Sequence, residues 1–222
     1  MVRPGMLVFD MDGVLVDVSD SYRETIVQTV KHFTGQTITR ELIQQYKNQG
    51  GWNNDWALSQ QIARDLGTEA GYDAVVEQFN RLWMGHDGVE GLVARERWIG
   101  SSELFEKLAA AYRMAIFTGR MHYEVDITLG RFAPAIKFDP IICAEDVTNG
   151  KPAPDGLNKI REQNPGLELL YFGDVVDDAR SAKAAGVPFV GVTHRDDTAD
   201  LLRQEGAIAV LKDINQIGTV LA

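Results

Sequence analysis

The 222-residue sequence has a single cysteine, Cys143, only four histidines, and fewer basic than acidic side chains. One cysteine excludes an internal disulfide and any multi-cysteine zinc site; its place inside an apolar run marks it as a core residue. His32, His86, His122 and His194 show no ligand spacing and no triad with a nucleophile elbow, which argues against a zinc enzyme or a serine hydrolase. With 22 Lys and Arg against 32 Asp and Glu, the formal net charge is −10. That excludes a nucleic-acid binder working by overall positive charge, because affinity for a phosphate backbone needs a cationic excess. No apolar run approaches the roughly 18 residues of a spanning helix. The chain passes straight from Met1-Val2-Arg3-Pro4-Gly5 into a strand-like run, without the apolar stretch of a signal peptide. A cytoplasmic protein with no membrane partner is expected. Internal repeats and low-complexity tracts are also missing. What is present is ample apolar material, 45% of residues, enough for one core or a core plus a small second unit.

Several short apolar runs stop abruptly at a polar residue. Met6 to Phe9 precedes Asp10, Met114 to Phe117 precedes Thr118, Ile141 to Ala144 precedes Glu145, and Leu169 to Phe172 precedes Gly173-Asp174. Such runs read as strands of a parallel sheet covered by helices on both faces. Phe189 to Val192 and Ile208 to Leu211 extend the sheet more weakly. Helical patterns lie between, from Ser101 to Ala111 and from Asp178 to Ala185, the latter closed by Gly186 and Pro188. The alternation is that of an open, doubly wound α/β fold. The interval from Asp10 to Thr118 is far longer than a strand–helix–strand crossover of about 30 residues, and its apolar residues recur at helical spacing. Tyr22, Ile26, Val30 and Phe33 form one set, Leu42, Ile43 and Tyr46 a second, Trp56, Ala63 and Leu66 a third, and Tyr72 to Trp83 a fourth. A helical unit over 19–88 is therefore expected as an insertion into an α/β core formed by 1–18 and 89–222, with hinges near Val16 to Ser19 and Asp87 to Ala94.

In an open parallel sheet ligands sit beyond the carboxyl ends of the strands, and the polar candidates all fall there. Asp10 and Asp12 follow the first strand, Thr118-Gly119-Arg120 the second, Lys151 lies after the third, and Asp174 and Asp178 follow the fourth. Four carboxylates at one place repel one another unless a hard cation with oxygen ligands relieves them, and Mg²⁺ suits few carboxylates plus phosphate oxygens. Lys151, the Thr118 hydroxyl and backbone N–H groups near Gly13 and Gly119 offer what a phosphate dianion needs. The set points to phosphoryl transfer.

Asp10-Met11-Asp12-Gly13-Val14-Leu15-Val16-Asp17, Phe117-Thr118-Gly119-Arg120, Gly150-Lys151-Pro152-Ala153-Pro154-Asp155 and Gly173-Asp174-Val175-Val176-Asp177-Asp178 through Gly186 resemble the four ordered motifs of the haloacid dehalogenase superfamily. The pattern is most similar to its phosphoglycolate phosphatase-like and β-phosphoglucomutase-like branch. The resemblance spans nearly the whole chain and implies a Rossmann-like core with a mobile helical cap. It implies a Mg²⁺-dependent phosphatase for a small phosphorylated metabolite. Asp10 would be the nucleophile forming an aspartyl-phosphate. Asp12 would be the acid and then the base, a role that burial beside other carboxylates would favour. Thr118 and Lys151 would bind the transferring phosphoryl group. Asp10, the Asp12 carbonyl and Asp174 would hold the metal, with Asp178 supporting the metal or Lys151. The second motif reads Thr118-Gly119-Arg120, whereas Asn commonly follows the Thr or Ser in the branch, and Arg120 would contact substrate beside Gly119 or brace the cap; Asp177 is an additional acid or a helix cap.

In relatives with such a cap, the loop at Asn48 to Trp56 reads the leaving group, so Trp52, Asn53 and Asn54 are candidate substrate contacts; the alternative is an ordinary helix–helix loop with Trp52 and Trp56 packed into the bundle. A phosphomutase shares the chemistry up to capture of the aspartyl-phosphate by a sugar. A phosphonatase would need a cap lysine, for which Lys47 is placed, while a dehalogenase has no use for Asp12. A non-catalytic phosphate-binding module fits the large insertion poorly. A Walker-A reading of Gly150-Lys151 fails at Pro152. Whether the chain forms a homodimer stays open.

Overall fold

The structure is a computed structural model and describes residues 5–221; the expectation concerning the start of the chain at Met1 to Pro4 lies outside them. The chain divides into two compact units, one running to Val16 and resuming at Trp98, the other spanning Asp17–Arg97. These divisions fall at 16/17 and 97/98, against the expected 18/19 and 88/89. The later return places in the inserted unit a short hairpin, Gly85–His86 with Val89–Glu90, and a 3-10 turn at Leu92–Arg95.

The larger unit is built on six parallel strands: β1 (Met6–Phe9), β2 (Arg113–Phe117), β3 (Ile141–Ile142), β4 (Leu169–Gly173), β5 (Phe189–Val192) and β6 (Ala209–Leu211). Their order is β6-β5-β4-β1-β2-β3, and every neighbouring pair is parallel. All four residues of β1 and all five of β4 are buried, which is why these runs carry no polar alternation. Apolar residues of β1, β2, β4 and β5 close with Leu157, Ile160, Ala179, Ala182 and Leu202 from the flanking helices into one core. The third run ends earlier than its hydrophobicity suggests. Only Ile141–Ile142 pairs, and Ala144–Asp146 turns into a 3-10 helix whose Asp146 carboxylate accepts the Cys143 N–H at 2.8 Å.

Helices α5 (Ser102–Ala111), α6 (His122–Phe132), α7 (Asp155–Gln163), α8 (Val176–Ala185) and α9 (Asp196–Gln204) flank the sheet. α5 starts at the Ser101 hydroxyl, which accepts the Leu104 N–H at 3.1 Å, and α8 ends at Gly186 in the left-handed conformation. The chain leaves β1 for its neighbour β2 and then returns to β4 on the other side of β1. The strand order thus reverses around β1, where open α/β sheets place their ligands.

The inserted unit contains α1 (Tyr22–Thr34), α2 (Arg40–Gln49), α3 (Asp55–Asp65) and α4 (Tyr72–Met84). Ile26, Val30, Leu58, Ile62, Val75, Phe79 and Trp83 are its buried residues at helical spacing, and α1 packs against both α3 and α4. Tyr22 lies against the rings of Trp83 and Phe79, with centroids 5.1 and 6.0 Å apart.

Candidate active site

Register brings the strand ends together. Phe9 pairs with Ile116 on one side and Phe172 on the other, and the Asp10 N–H donates to the Phe172 carbonyl at 2.8 Å. Asp10 therefore emerges between Thr118 and Asp174, each one residue past its strand. Immediately beyond, Met11 to Val16 folds into a tight loop in which the Met11 carbonyl accepts the N–H groups of Leu15 and Val16 at 2.8 and 3.0 Å. Gly13 has φ 75° in this loop, and a Cβ there would collide with the Asp174 carboxylate. Only glycine supplies both the backbone conformation and the close approach.

Asp10, Asp174 and Asp178 each present a carboxylate oxygen within 4.8 Å of the others. Lys151 joins two of them, its Nζ 2.9 Å from Asp10 Oδ1 and 2.7 Å from Asp178 Oδ1. It also lies over the rings of Phe117 and Tyr171, at 4.8 and 5.5 Å from their centroids. Asp178 is fully buried. Its Oδ1 also accepts from the Tyr171 hydroxyl at 2.6 Å, and its Oδ2 accepts the N–H groups of Asp174 and Val175 at 3.0 and 3.1 Å. A carboxylate has about four lone-pair sites, and here four donors meet them. Asp178 thereby ties the β4–α8 turn to Lys151. Asp177 is buried within the first turn of α8 but is not its N-cap, a position occupied by Val175.

Burial acts on three ionisable groups at this place, Asp10, Lys151 and Tyr171. Loss of solvent raises the Asp10 carboxyl to about 7, against the opposing attraction of Lys151, with Asp178 and Asp12 adding to the rise. Burial by itself would lower Lys151, but the carboxylates of Asp10 and Asp178 outweigh it and hold the ammonium above its ordinary value. The Tyr171 phenol is pushed well up, first by burial and then by Asp178. The enclosure expected around Asp12 is thus found around Asp10: the Asp12 side chain remains 31% exposed.

Arg120 is bonded inside the core unit. Its side chain is 1% exposed, and its Nε and Nη2 donate to Asp12 Oδ1 at 2.8 and 2.6 Å while Nη1 donates to Thr128 Oγ1 at 2.6 Å. It fixes Asp12 within the core unit instead of presenting its guanidinium to solvent. Among the described residues no side-chain bond is recorded at Asp12 Oδ2. Thr118 is buried, and its Oγ1 accepts the Arg120 N–H at 3.2 Å; Gly119 between them is exposed.

In the inserted unit, Asn54 caps α3, its Oδ1 accepting the Ala57 N–H at 2.9 Å and its Nδ2 donating to the Tyr72 hydroxyl at 3.3 Å. Trp52 packs edge-on against Tyr46 at 5.8 Å and Trp56 against Phe79 at 6.5 Å, while Asn53 is half-buried. Lys47, the lysine placed for Schiff-base chemistry, is ion-paired with Asp55 at 2.6 Å.

A second cluster brings one histidine together with the cysteine. His122 opens α6, and its ring lies between Cys143 and Asp146, with Nδ1 3.4 Å from Sγ and Nε2 2.8 Å from Asp146 Oδ2. Linear spacing hid this set. The signal available was position: both segments follow the ends of the adjacent parallel strands β2 and β3. No helix among the described residues is long and apolar enough to cross a membrane.

Comparison with known proteins agrees with this architecture. A crystal structure of a predicted phosphoglycolate phosphatase from Haemophilus somnus 129PT superposes with a TM-score of 0.80 at 19% identity, covering 100% of both chains; that likeness concerns the fold. Among curated proteins, the phosphoglycolate phosphatase of Rhodobacter capsulatus is 23% identical over 193 residues, 85% of this chain and 84% of that one. An imidazoleglycerol-phosphate dehydratase of Phytophthora nicotianae is 30% identical over 221 residues, 96% of this chain. The chain spans only about half of that longer relative, 48%. The model of the haloacid dehalogenase-like hydrolases matches residues 7–192, from the strand that carries Asp10 through β5, and the chain belongs to that family.

Proposed function

We propose that the protein is a Mg²⁺-dependent phosphatase that hydrolyses a small phosphorylated metabolite through an aspartyl-phosphate on Asp10. The observation that carries this reading is the buried Asp10 carboxylate at the end of β1, 2.9 Å from Lys151 and grouped with Asp174 and Asp178. The names of the relatives support a small phosphorylated substrate, since one is a phosphatase of phosphoglycolate and another a dehydratase of imidazoleglycerol phosphate.

The residues fit a magnesium ion. Asp10 and Asp174, with the Asp12 backbone carbonyl, are hard oxygen donors of the kind Mg²⁺ selects, and Asp178, whose lone pairs are already taken, stands behind them holding Lys151 and the Asp174 backbone. The ion would supply neutralising charge between an anionic nucleophile and an anionic substrate. Lys151 and Thr118 bind the phosphoryl oxygens. An Asp10 oxygen forms the bond to phosphorus as the ester P–O bond breaks, and the leaving oxygen takes its proton from Asp12. Water then attacks the aspartyl-phosphate, Asp12 accepts its proton, and free phosphate and the Asp10 carboxylate are regenerated. The Arg120 pair on Oδ1 directs the other oxygen of Asp12 to both transfers.

A screen of phosphorylated metabolites for Mg²⁺-dependent phosphate release tests the proposal, with Asp10→Asn as control. Steady multiple turnover by the natural protein and none by Asp10→Asn is expected. Undiminished release by purified Asp10→Asn protein would refute the mechanism, and isomerisation of a sugar phosphate without release of phosphate would identify a mutase instead.

A further inference from the structure

We propose that His122 and Cys143 form a binding pair for a thiophilic divalent cation of the zinc class, with Asp146 orienting the imidazole, at a place separate from the carboxylates around Asp10. Imidazole nitrogen and cysteine sulfur are the donors such metals select over Mg²⁺. The spacing suits one metal ion. With zinc lying about 2.0–2.1 Å from nitrogen and about 2.3 Å from sulfur, the 3.4 Å between Nδ1 and Sγ subtends about 100° at the metal, close to the tetrahedral angle.

The other ring nitrogen completes the argument. Asp146 Oδ2 lies 2.8 Å from Nε2, so with the ring proton on Nε2 directed at the carboxylate, Nδ1 turns its lone pair to the sulfur. Metal-bound histidines are commonly held by a carboxylate in this way, which fixes the tautomer and raises ligand basicity. Asp146 is itself held, accepting the Cys143 N–H at 2.8 Å and lying 3.8 Å from Lys159 Nζ. His122 is 44% exposed on its side chain and Asp146 25%, so solvent can supply the remaining ligands.

The alternative use of a Cys-His-Asp arrangement is nucleophilic catalysis, and the surroundings oppose it. Cys143 is buried, and its thiol is pushed up to about 12, chiefly by burial and then by Asp146, Glu145, Asp126 and Glu124. A catalytic thiol needs the opposite, an electropositive neighbourhood. The same acids that hold the proton on sulfur attract a cation, and on binding the metal takes the proton's place, Cys–SH and M²⁺ giving (Cys–S–M)⁺ and H⁺. Glu145 and Glu124 also accept the N–H groups of His122 and Met121 at 3.2 and 2.8 Å, offsetting the positive end of α6. A bound metal would pin the start of α6 to the turn after β3, where the Ala144 N–H already donates to the Arg120 carbonyl at 3.0 Å.

Cobalt(II) is the probe, added to protein kept in a large excess of Mg²⁺ so that the carboxylate cluster is occupied. Saturation of a thiolate-to-cobalt charge-transfer band at one equivalent is expected. Cys143→Ser should abolish the band, and His122→Gln should weaken cobalt binding at least about tenfold. Asp146→Asn should weaken it by about 10–100-fold, as loss of an orienting partner does. Because the His122 side chain is partly exposed, at 44%, His122→Gln is expected to keep the fold and decides the matter should the Cys143 variant be unstable. No band in the natural protein, or an unchanged titration in His122→Gln, overturns the proposal.

Discussion

Replacing Lys151 by methionine removes the only cation that touches both Asp10 and Asp178 among the described ion pairs. Both carboxylates are buried, and methionine fills the space beneath Phe117 and Tyr171 without replacing the charge. Removing one partner of a buried ion pair costs about 3–5 kcal/mol, equivalent to a fall in Tm of roughly 6–20 °C for a chain of this size. The loss should depend on pH in a fixed direction. Asp10 has its carboxyl raised to about 7, so between its ordinary value and 7 the folded state binds more protons than the unfolded one, and stability falls as pH rises through that window. Without Lys151 the opposing attraction is gone, the carboxyl rises further, and the window extends to higher pH. Thermal unfolding of both proteins without divalent cations, from pH 5.5 to 8.5, should therefore show a gap that widens with pH. Adding Asp178→Asn to Lys151→Met should recover part of it. A gap below about 2 °C, or one that narrows as pH rises, would refute the account of Lys151 as the charge that makes this burial tolerable.

Gly13→Ala should raise the Mg²⁺ concentration needed for half-maximal phosphate release by an order of magnitude or more, because its methyl group displaces Asp174; an unchanged magnesium titration would contradict the placement of Asp174. Arg120→Lys keeps the charge but loses the two-pronged hold on Asp12. A fall in kcat of roughly 10–100-fold with little change in KM is expected, and a change confined to KM would instead return Arg120 to substrate binding. Asn54→Ala removes the cap of α3 and should destabilise the protein by about 1 kcal/mol in urea unfolding, whereas no loss of stability would deny it that role.

The strands were legible because burial on both faces leaves continuous apolar runs, and their ends were legible because each run stops at a polar residue. β3 was overextended for the same reason: Cys143 and Ala144 are apolar, but hydrogen bonding to the Asp146 side chain turns the chain there. Helices α6, α7 and α9 begin just beyond loops and carry shorter apolar stripes, so periodicity alone did not single them out. Within the site, the positions of Asp10, Thr118 and Asp174 followed from strand ends. What Arg120 binds did not, because a guanidinium next to a strand end looks the same whether it meets a phosphate or, as here, an aspartate 108 positions away. The four donors on Asp178 were equally hidden, since two are backbone N–H groups and one comes from Tyr171, a residue that reads only as core.

Asp178 has a consequence for selectivity. A lysine anchored between two carboxylates and beneath two aromatic rings cannot swing to meet a ligand, so its ammonium is in position before anything binds. Binding energy need not be used to order it. In the proposed phosphatase such a site would be strict about where the phosphorus lies and indifferent to the group attached beyond the ester oxygen, so these residues would fix the reaction and leave the identity of the alcohol to be read elsewhere.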